Sequence, residues 1–209
     1  MIKTQNPRYE FRIFGNHLEK IEKQIREMAK EEQTRIMTSV YLLASGNPKN
    51  NIKIREGVMD IKVLEDEHEG LEQWDPFLVG EFPLKAETIK NVIFPALGVH
   101  YPAFERDEYT LEQFVDELIS GDPDLSVAYV MKKRHGYTIK NVITEVAEIK
   151  VNGASIKTIC IESENPSKVL KIKAKLGIEK NVENVNYPLA LKRIMGLVSL
   201  PENWKSESF

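Results

Sequence analysis

The sequence has little of what marks several large classes of protein. Its 209 residues include a single cysteine, Cys160, which excludes an internal disulfide and a cysteine-based zinc cage. No apolar run approaches the roughly 18 residues that a membrane helix needs, so we expect no association with a membrane. The first residues, MIKTQNPRYEF, lack the apolar core typical of a signal peptide, and we therefore expect a cytoplasmic protein.

An excess of charge of one sign is also lacking. The 29 Lys and Arg residues nearly balance the 32 Asp and Glu residues, and the formal net charge is −3. Because a broad nucleic-acid surface needs an excess of cations, this balance predicts no nucleic-acid partner. Any anion site must therefore come from local clustering of basic residues. The length suits one large domain or two small ones, and a homodimer is the default oligomer.

What the chain does have is a series of segments in which apolar and charged residues alternate. The clearest is the hairpin 51–65, NIKIREGVMDIKVLE. Because strand side chains point alternately to opposite faces, Lys53 and Arg55 share one face of the first arm. Asp60 and Lys62 share one face of the second arm. This pattern fits an amphipathic hairpin with its charges in water, and it also fits the wall of a barrel with a charged interior.

Similar alternation predicts about eight strands, with further candidates at 7–14, 33–43, 76–83, 125–134, 137–151 and 154–164. Helical spacing predicts about five helices between them, at 17–30, 85–97, from 110 onward, at 165–177 and at 187–196. Pro95 is expected to kink or end its helix, residues 66–74 are expected to form a loop, and residues 201–209 a polar tail. Short turns such as Asn152–Gly153 favour antiparallel pairing. The predicted fold is therefore α+β, an eight-stranded antiparallel closed β-barrel, or tunnel, with flanking helices.

Charged residues recur on one face of several predicted strands. Basic pairs occur at Lys53–Arg55 and Lys132–Arg134, whereas an acidic pair occurs at Glu162–Glu164, so one closed sheet would have a basic wall and an acidic wall. Carboxylates bind Mg²⁺ or Mn²⁺, which also takes phosphate oxygens, and Lys and Arg neutralise the remaining phosphate charge. The pattern therefore favours a small-molecule polyphosphate bound together with a divalent metal.

Simpler interpretations of the same residues stay open. Glu162 and Glu164 also fit an exposed strand face, and the run 132–135 also fits a solvated loop edge. Glu145 and Glu148 are an odd number of residues apart, so they cannot both face the interior of a regular strand. Of the two, we expect Glu145 to face inward.

Several short motifs resemble the CYTH superfamily, also called the triphosphate tunnel metalloenzymes. They are KIREGVMDIKVL, VMKKRHGY, ICIESENP with a following helix that ends in KLGI, and the aromatic turn Asn186–Tyr187–Pro188 before a last helix. The superfamily includes adenylate cyclases of one bacterial class, thiamine triphosphatases and inorganic triphosphatases. Because the motifs run in order over nearly the whole chain, the resemblance implies a single tunnel domain over residues 1–209.

The resemblance also implies roles for individual residues. Those matching metal-side carboxylates are Glu10, Glu162 and Glu164, and those matching phosphate-side cations are Lys53, Arg55, Lys62, Lys132 and Arg134. The family signature on the first strand is Glu-x-Glu-x-Lys, whereas this chain has Glu10-x-Arg12-x-Phe14. Arg12 therefore has no counterpart in the signature, and it is expected to pair with a neighbouring glutamate or to add a phosphate contact.

Three functions follow as hypotheses. The first is Mg²⁺- or Mn²⁺-dependent hydrolysis of a triphosphate-containing small molecule, such as inorganic triphosphate, thiamine triphosphate or a nucleotide. The second, motivated by the altered signature, is a non-catalytic protein that binds a phosphorylated or other anionic ligand. The third is adenylate cyclase activity, for which no residue here marks an adenine pocket.

Overall fold

The computed structural model describes residues 6–201, and in this part of the chain eight strands close into an antiparallel barrel. The strands are β1 (Tyr9–Gly15), β2 (Gln33–Ala44), β3 (Asn50–Arg55), β4 (Val58–His68), β5 (Leu71–Glu81), β8 (Leu125–Ile139), β9 (Val142–Val151) and β10 (Ala154–Ser163). Their order around the barrel is β1-β10-β9-β8-β2-β3-β4-β5. Two short strands, β6 (Leu84–Lys85) and β7 (Glu108–Tyr109), form a separate small sheet. The predicted α+β barrel is confirmed.

Residues 6–201 contain five helices, which lie on the outside of the barrel or at one of its ends. They are α1 (Glu19–Met28), α2 over residues 86–97, α3 over residues 111–119, α4 (Pro166–Lys175) and α5 (Tyr187–Ile194). Helix α2 contains a π-helical segment, Ile89–Ile93, and α3 contains another, Phe114–Ile119. No helix among residues 6–201 has the length and apolar character needed to span a membrane. Apart from residue 201, the predicted polar tail lies outside the described residues.

Local sequence explains where three of these helices begin. The side chain of Thr110 accepts a hydrogen bond from the Gln113 backbone N–H, and the Gln113 side chain accepts one from Thr110 N–H, which completes a capping box. Asn165 caps α4 and Asn186 caps α5 in the same manner, each accepting from a backbone N–H three residues later.

The β3–β4 hairpin shows how alternation becomes a barrel wall. Its apolar residues, Ile52, Ile54, Met59 and Ile61, are buried against α2 and α3 on the outside of the barrel. Its charged residues therefore point to the inside, as the period of two requires. Of the two interpretations of the hairpin, the barrel wall with a charged interior is confirmed.

A second apolar layer covers the other half of the barrel. Phe11 of β1 and Ile159 of β10 pack against Ile25 of α1 and Ile172 of α4, all of them buried. Burial of such side chains stabilises the fold by about 1.5–3 kcal/mol each. The two helical layers together leave the inward faces of the strands for polar side chains.

Helix α5 closes one end of the barrel. Tyr187 and Leu191 of this helix pack on the inward-facing residues Tyr41, Leu43 and Ile149. The rings of Tyr187 and Tyr41 stack with centroids 5.7 Å apart. At the other end the side chains of Arg134 and Glu162 keep 21% and 23% of their surface exposed, so the interior opens to solvent there. The barrel is therefore a blind tunnel.

Residues 66–74 do not form the predicted loop. Strand β4 continues to His68, and β5 begins at Leu71 after a turn in which Glu69 and Gly70 have φ values of 48° and 76°. Residues 65–70 are exposed, so this end of the hairpin lacks the buried face that produces apolar alternation. The strand signal is therefore absent although the backbone pairing is present.

Two further boundaries differ from the prediction. Strand β8 continues through Gly136 to Ile139, and the turn lies at Lys140 and Asn141, both with positive φ. A Cβ on Gly136 would lie 3.3 Å from Cγ of Gln33, so this glycine serves close strand packing rather than a turn. Pro95 does not end α2, because it lies in the first turn of an α-helical segment that follows the wider π-helical one.

Candidate functional site

The inward-facing side chains enclose a polar cavity of about 190 Å³. Seven of the nine residues predicted to form a site line it: Glu10, Arg12, Lys53, Arg55, Lys62, Lys132 and Glu162. Arg134 lies beside this lining and Glu164 lies outside it. The antiparallel order of the strands thus brings together residues that are up to about 150 positions apart in the chain.

One side of the cavity, formed by β3 and β4, is basic; we call it the basic side, and it consists of Lys53, Arg55 and Lys62. Lys53 Nζ lies 2.9 Å from Asp60 Oδ2 on the neighbouring strand. Among the described residues no carboxylate lies within ion-pair distance of Arg55 or Lys62, and Arg55 Nη1 contacts only the sulfur of Met37, at 3.8 Å. Two cations therefore face the cavity with their charge uncompensated.

The opposite side is organised around Glu145 of β9, which is only 4% exposed. Three cations from two strands surround its carboxylate: Arg12 Nη1 at 3.1 Å, Lys132 Nζ at 2.5 Å and Arg134 Nε at 2.6 Å. The expectation that Glu145 faces inward is confirmed. We call this set, with Glu10, the ion-paired side.

The charge state of Glu145 follows from these neighbours. Burial by itself would raise the pKa of its carboxyl group, but Arg12, Lys132 and Arg134 outweigh burial and lower that pKa to about 2. Glu145 is therefore ionised at neutral pH. Its negative charge offsets part of the positive charge of Lys132 and Arg134, which are less available to a ligand than the sequence pattern suggests.

Arg12 links Glu145 to Glu10. Its Nε lies 2.7 Å from Glu10 Oε1, and its Nη1 also donates to the hydroxyl of Thr158 at 3.3 Å. Its guanidinium carbon lies 4.7 Å from the ring centroid of Tyr187, a cation–π distance. The expectation that Arg12 pairs with a neighbouring glutamate is what the structure shows.

The backbone of Arg12 is held as firmly as its side chain. Its N–H donates to Asn184 Oδ1 at 2.7 Å, and its carbonyl oxygen accepts from Val185 N–H at 2.8 Å. The segment just before α5 therefore pairs with the edge of β1 that β5 leaves free, because β5 pairs with β1 only at Tyr9 and Glu10. The same segment positions both Arg12 and helix α5.

Three glutamates form a row across adjacent strands. In the strand register Glu10 lies opposite Glu162 of β10 and opposite Glu72 of β5. Such neighbours have Cβ atoms about 4.5–5.5 Å apart. Burial, reinforced by Glu10, raises the pKa of Glu162, and burial raises the pKa of Glu72. The row is thus an acidic strip whose members repel one another.

Each glutamate of the row has a donor from the protein. Glu10 is paired with Arg12, and Glu162 lies 3.5 Å from Arg8 Nη1. Glu72 accepts from Asn186 Nδ2 at 2.9 Å and from Trp74 Nε1 at 3.1 Å. These contacts offset the repulsion within the row.

The carboxylates expected to hold a divalent metal are only partly brought together. No group of three His, Cys, Asp or Glu side chains among residues 6–201 is arranged to hold one. Glu164, expected on the metal side, lies just after the end of β10, is exposed, and accepts a hydrogen bond from Asn6 Nδ2 at 3.3 Å. Of the three expected ligands, only Glu10 and Glu162 therefore reach the cavity.

Sequence reasoning missed Glu72, Trp74 and Asp60 as members of the site. Asp60 was expected on the same strand face as Lys62, but it was given no role in the site. Glu72 and Trp74 lie in the stretch predicted as a loop, and no signal in that stretch marks them. Tyr187, placed over the cavity by α5, was expected only as part of an aromatic turn.

Comparison with known proteins yields similar folds only. No protein-family model matches the chain, and no curated protein matches it. Solved structures with a similar fold include PH1012 from Pyrococcus horikoshii, with 19% identity, 86% of this chain and 97% of that chain covered, and a TM-score of 0.47. HpAC1 from Hippeastrum is described as a proposed adenylyl cyclase with a dominant triphosphatase activity. It has 12% identity, 93% of this chain and 98% of that chain are covered, and the TM-score is 0.48.

A proposed adenylate cyclase from Bacillus halodurans is a third such structure, with 13% identity, coverages of 88% and 97%, and a TM-score of 0.47. At these identities and TM-scores the likeness assigns no activity to this chain.

Proposed function

We propose that the barrel interior binds a small polyphosphate, or a small molecule that carries one. The observation that supports this most strongly is the basic side, where Arg55 and Lys62 face the cavity without a carboxylate partner among the described residues. Uncompensated cations at a half-buried site are costly unless an anion joins them. A phosphate group supplies both the negative charge and several acceptor oxygens.

The size of the cavity limits the ligand. At about 190 Å³ it lies below the range of roughly 300–1,000 Å³ that is typical of pockets for organic ligands. We therefore propose that the interior holds the phosphate groups and that any organic part projects through the open end. Helix α5 prevents passage through the other end.

Metal-dependent hydrolysis and adenylate cyclase activity stay predictions, as do the homodimer and the cytoplasmic location. The carboxylates weigh against a metal held by Glu10, Glu162 and Glu164, because Glu10 is paired with Arg12 and Glu164 lies outside the cavity. Binding through the basic side needs none of these three residues. It is therefore the function that the geometry supports best.

The test is a calorimetric titration of the protein with inorganic triphosphate. Replacing Arg55 with Gln removes one uncompensated cation, and a hydrogen bond to a charged group contributes about 1.5–3 kcal/mol. We therefore expect the dissociation constant to rise by about 10- to 100-fold. The fold should be unchanged, because Arg55 has no ion pair to lose among residues 6–201.

The matched control is Arg106→Gln. Arg106 is exposed on the outer surface and pairs with Glu117 Oε2 at 3.0 Å, far from the cavity lining. Its replacement should leave triphosphate binding unchanged. Equal losses in both variants, or no binding by the unaltered protein with or without Mg²⁺ and Mn²⁺, would rule out the proposed function.

A further inference from the structure

We infer that Arg12 is the resident cation of the acidic half of the interior, and that it takes the place a divalent metal would otherwise fill between the carboxylates and a bound phosphate. This inference deepens the proposed function and rests on it for the identity of the ligand. The expectation of Mg²⁺ or Mn²⁺ is thereby replaced by a cation that belongs to the chain itself.

The first ground is the position of the guanidinium between two carboxylates from different strands. Nε lies 2.7 Å from Glu10 Oε1, and Nη1 lies 3.1 Å from Glu145 Oε1. A divalent cation in a protein draws carboxylates from separate elements to one point in the same manner. Here one planar group with a permanent charge does so.

The second ground is that the guanidinium is fixed on its edge and on its face. Thr158 adds a third contact at 3.3 Å, and the ring of Tyr187 lies 4.7 Å from the guanidinium carbon. Arg12 is only 5% exposed. A metal ion could reach Glu10 and Glu145 together only by displacing a side chain that is held by four partners.

The third ground is the remaining nitrogen. Nη2 of Arg12 has no acceptor among the described residues, and the surrounding protein does not fully enclose it. Arg12 also lines the cavity. Its N–H groups are therefore available to a phosphate oxygen. Arg12 thus neutralises two carboxylates and offers a ligand contact, which is the double role of a bridging metal.

The experiment compares the unaltered protein with Arg12→Glu. Mn²⁺ binding is followed by electron paramagnetic resonance and by the melting temperature with and without Mn²⁺. The unaltered protein should show no Mn²⁺ binding at millimolar concentrations and no change in melting temperature. The R12E variant removes the cation, frees Glu10, leaves Glu145 with Lys132 and Arg134 only, and adds a carboxylate beside Glu10. Mn²⁺ should therefore bind this variant and raise its melting temperature.

Arg134→Gln is the matched control. Arg134 also lies against Glu145, at 2.6 Å, but the structure shows no contact between it and Glu10. Its removal therefore takes away one cation without freeing the carboxylate pair, and no Mn²⁺ binding should appear. A gain of Mn²⁺ binding in R134Q equal to that in R12E would overturn the inference.

A second measurement uses the unaltered protein alone, so the inference stays testable if R12E does not fold. Triphosphate is titrated in EDTA and in Mn²⁺, and the two dissociation constants should agree within about twofold, a difference below 0.5 kcal/mol. Binding that requires Mn²⁺, or Mn²⁺ binding by the unaltered protein without triphosphate, overturns the inference and leaves the proposed polyphosphate function standing.

The reverse outcome is also distinguishable. If triphosphate binds under neither condition, the proposed function fails. The Mn²⁺ measurements on the unaltered protein and on R12E still decide whether Arg12 occupies the place of a metal, because they involve no phosphate ligand.

Discussion

The chain contains two Lys-x-Arg pairs, Lys53–Arg55 and Lys132–Arg134, and both reach the interior of the same barrel. Their surroundings differ. Lys132 and Arg134 both lie against Glu145, which the neighbouring strand β9 supplies. The strand beside Lys53 supplies Asp60 for that residue, and Arg55 has no carboxylate within ion-pair distance among the described residues.

The difference teaches that the role of a buried cation is set by the strand next to it, not by the motif that contains it. A Lys-x-Arg pair whose two cations share one carboxylate contributes to the stability of the fold. A pair whose arginine has no carboxylate within ion-pair distance among the described residues, as is the case for Arg55, is suited to hold an anion. Variants on each side can therefore separate stability from binding.

The largest effect is expected from Glu145→Gln on the ion-paired side. This change leaves Arg12, Lys132 and Arg134 close together without their shared anion, and breaking a buried ion pair in this way costs about 3–5 kcal/mol. The free energy of unfolding, measured in urea at pH 7, should fall by that amount. Glu148→Gln, at an exposed position on the same strand, should change it by less than about 0.5 kcal/mol.

The same variant has a defined pH dependence. The pKa of Glu145 is lowered from 4.5 to about 2 in the folded protein, so its stabilising effect is complete above the unfolded pKa and is lost as the pH falls toward 2. The stability difference between the unaltered protein and E145Q should therefore shrink as the pH falls from about 5 to 2. A difference that stays constant over this range would contradict the ion-paired role of Glu145.

A smaller effect, an increase in triphosphate affinity, is expected from Glu162→Gln. Glu162 lines the cavity, and its raised pKa reflects burial and the repulsion from Glu10. Removing its charge should strengthen triphosphate binding in EDTA by about fivefold, or 1 kcal/mol, because one negative charge near the phosphates is lost. Calorimetry checks this, with E148Q as the control.

The sign of that effect sharpens the comparison between the two sides. If Glu162 holds a metal that carries the phosphates, the same substitution weakens binding or abolishes turnover instead of strengthening binding. Loss of affinity in E162Q when the titration is repeated with Mn²⁺ would therefore support the metal-dependent hypothesis drawn from the sequence.

The smallest effect is expected from Asp60→Asn, which leaves Lys53, like Arg55 and Lys62, without a carboxylate partner among the described residues. Lys53 loses the carboxylate that lies 2.9 Å from its Nζ, and its charge becomes available to a ligand. Burial lowers the pKa of Lys53 and Asp60 opposes this, so the gain should be limited to about two- to fourfold in triphosphate affinity. A loss of affinity would mean that Lys53 needs Asp60 to stay protonated.

Much of the fold could be predicted from the sequence because alternation is a local property. The inward position of Lys53, Arg55, Lys132 and Glu162 follows from the period of two once the strands are recognised. The β4–β5 turn could not be predicted in the same way, because its residues are exposed on both faces. For that reason the sequence did not predict Glu72 as a residue of the site.

The pairing within the site could not be read from the sequence. Glu145 pairs with three cations because of the register between β8 and β9 and the position of β1. No single segment of the sequence encodes either of these. The position of Tyr187 over Arg12 depends on how α5 packs in the end of the barrel. Parity predicts which face a residue takes, but not which partner it meets there.

The closure of one end by α5 has a consequence for polymers. Because Tyr187 and Leu191 block the passage, a linear phosphate chain cannot thread through the barrel. It can enter only by a terminus, and its residues beyond the depth of the cavity stay in solvent. Affinity should therefore rise with chain length only until the cavity is filled. The amount of protein that a long polyphosphate binds should then depend on the number of its chain ends and not on the number of its phosphate groups.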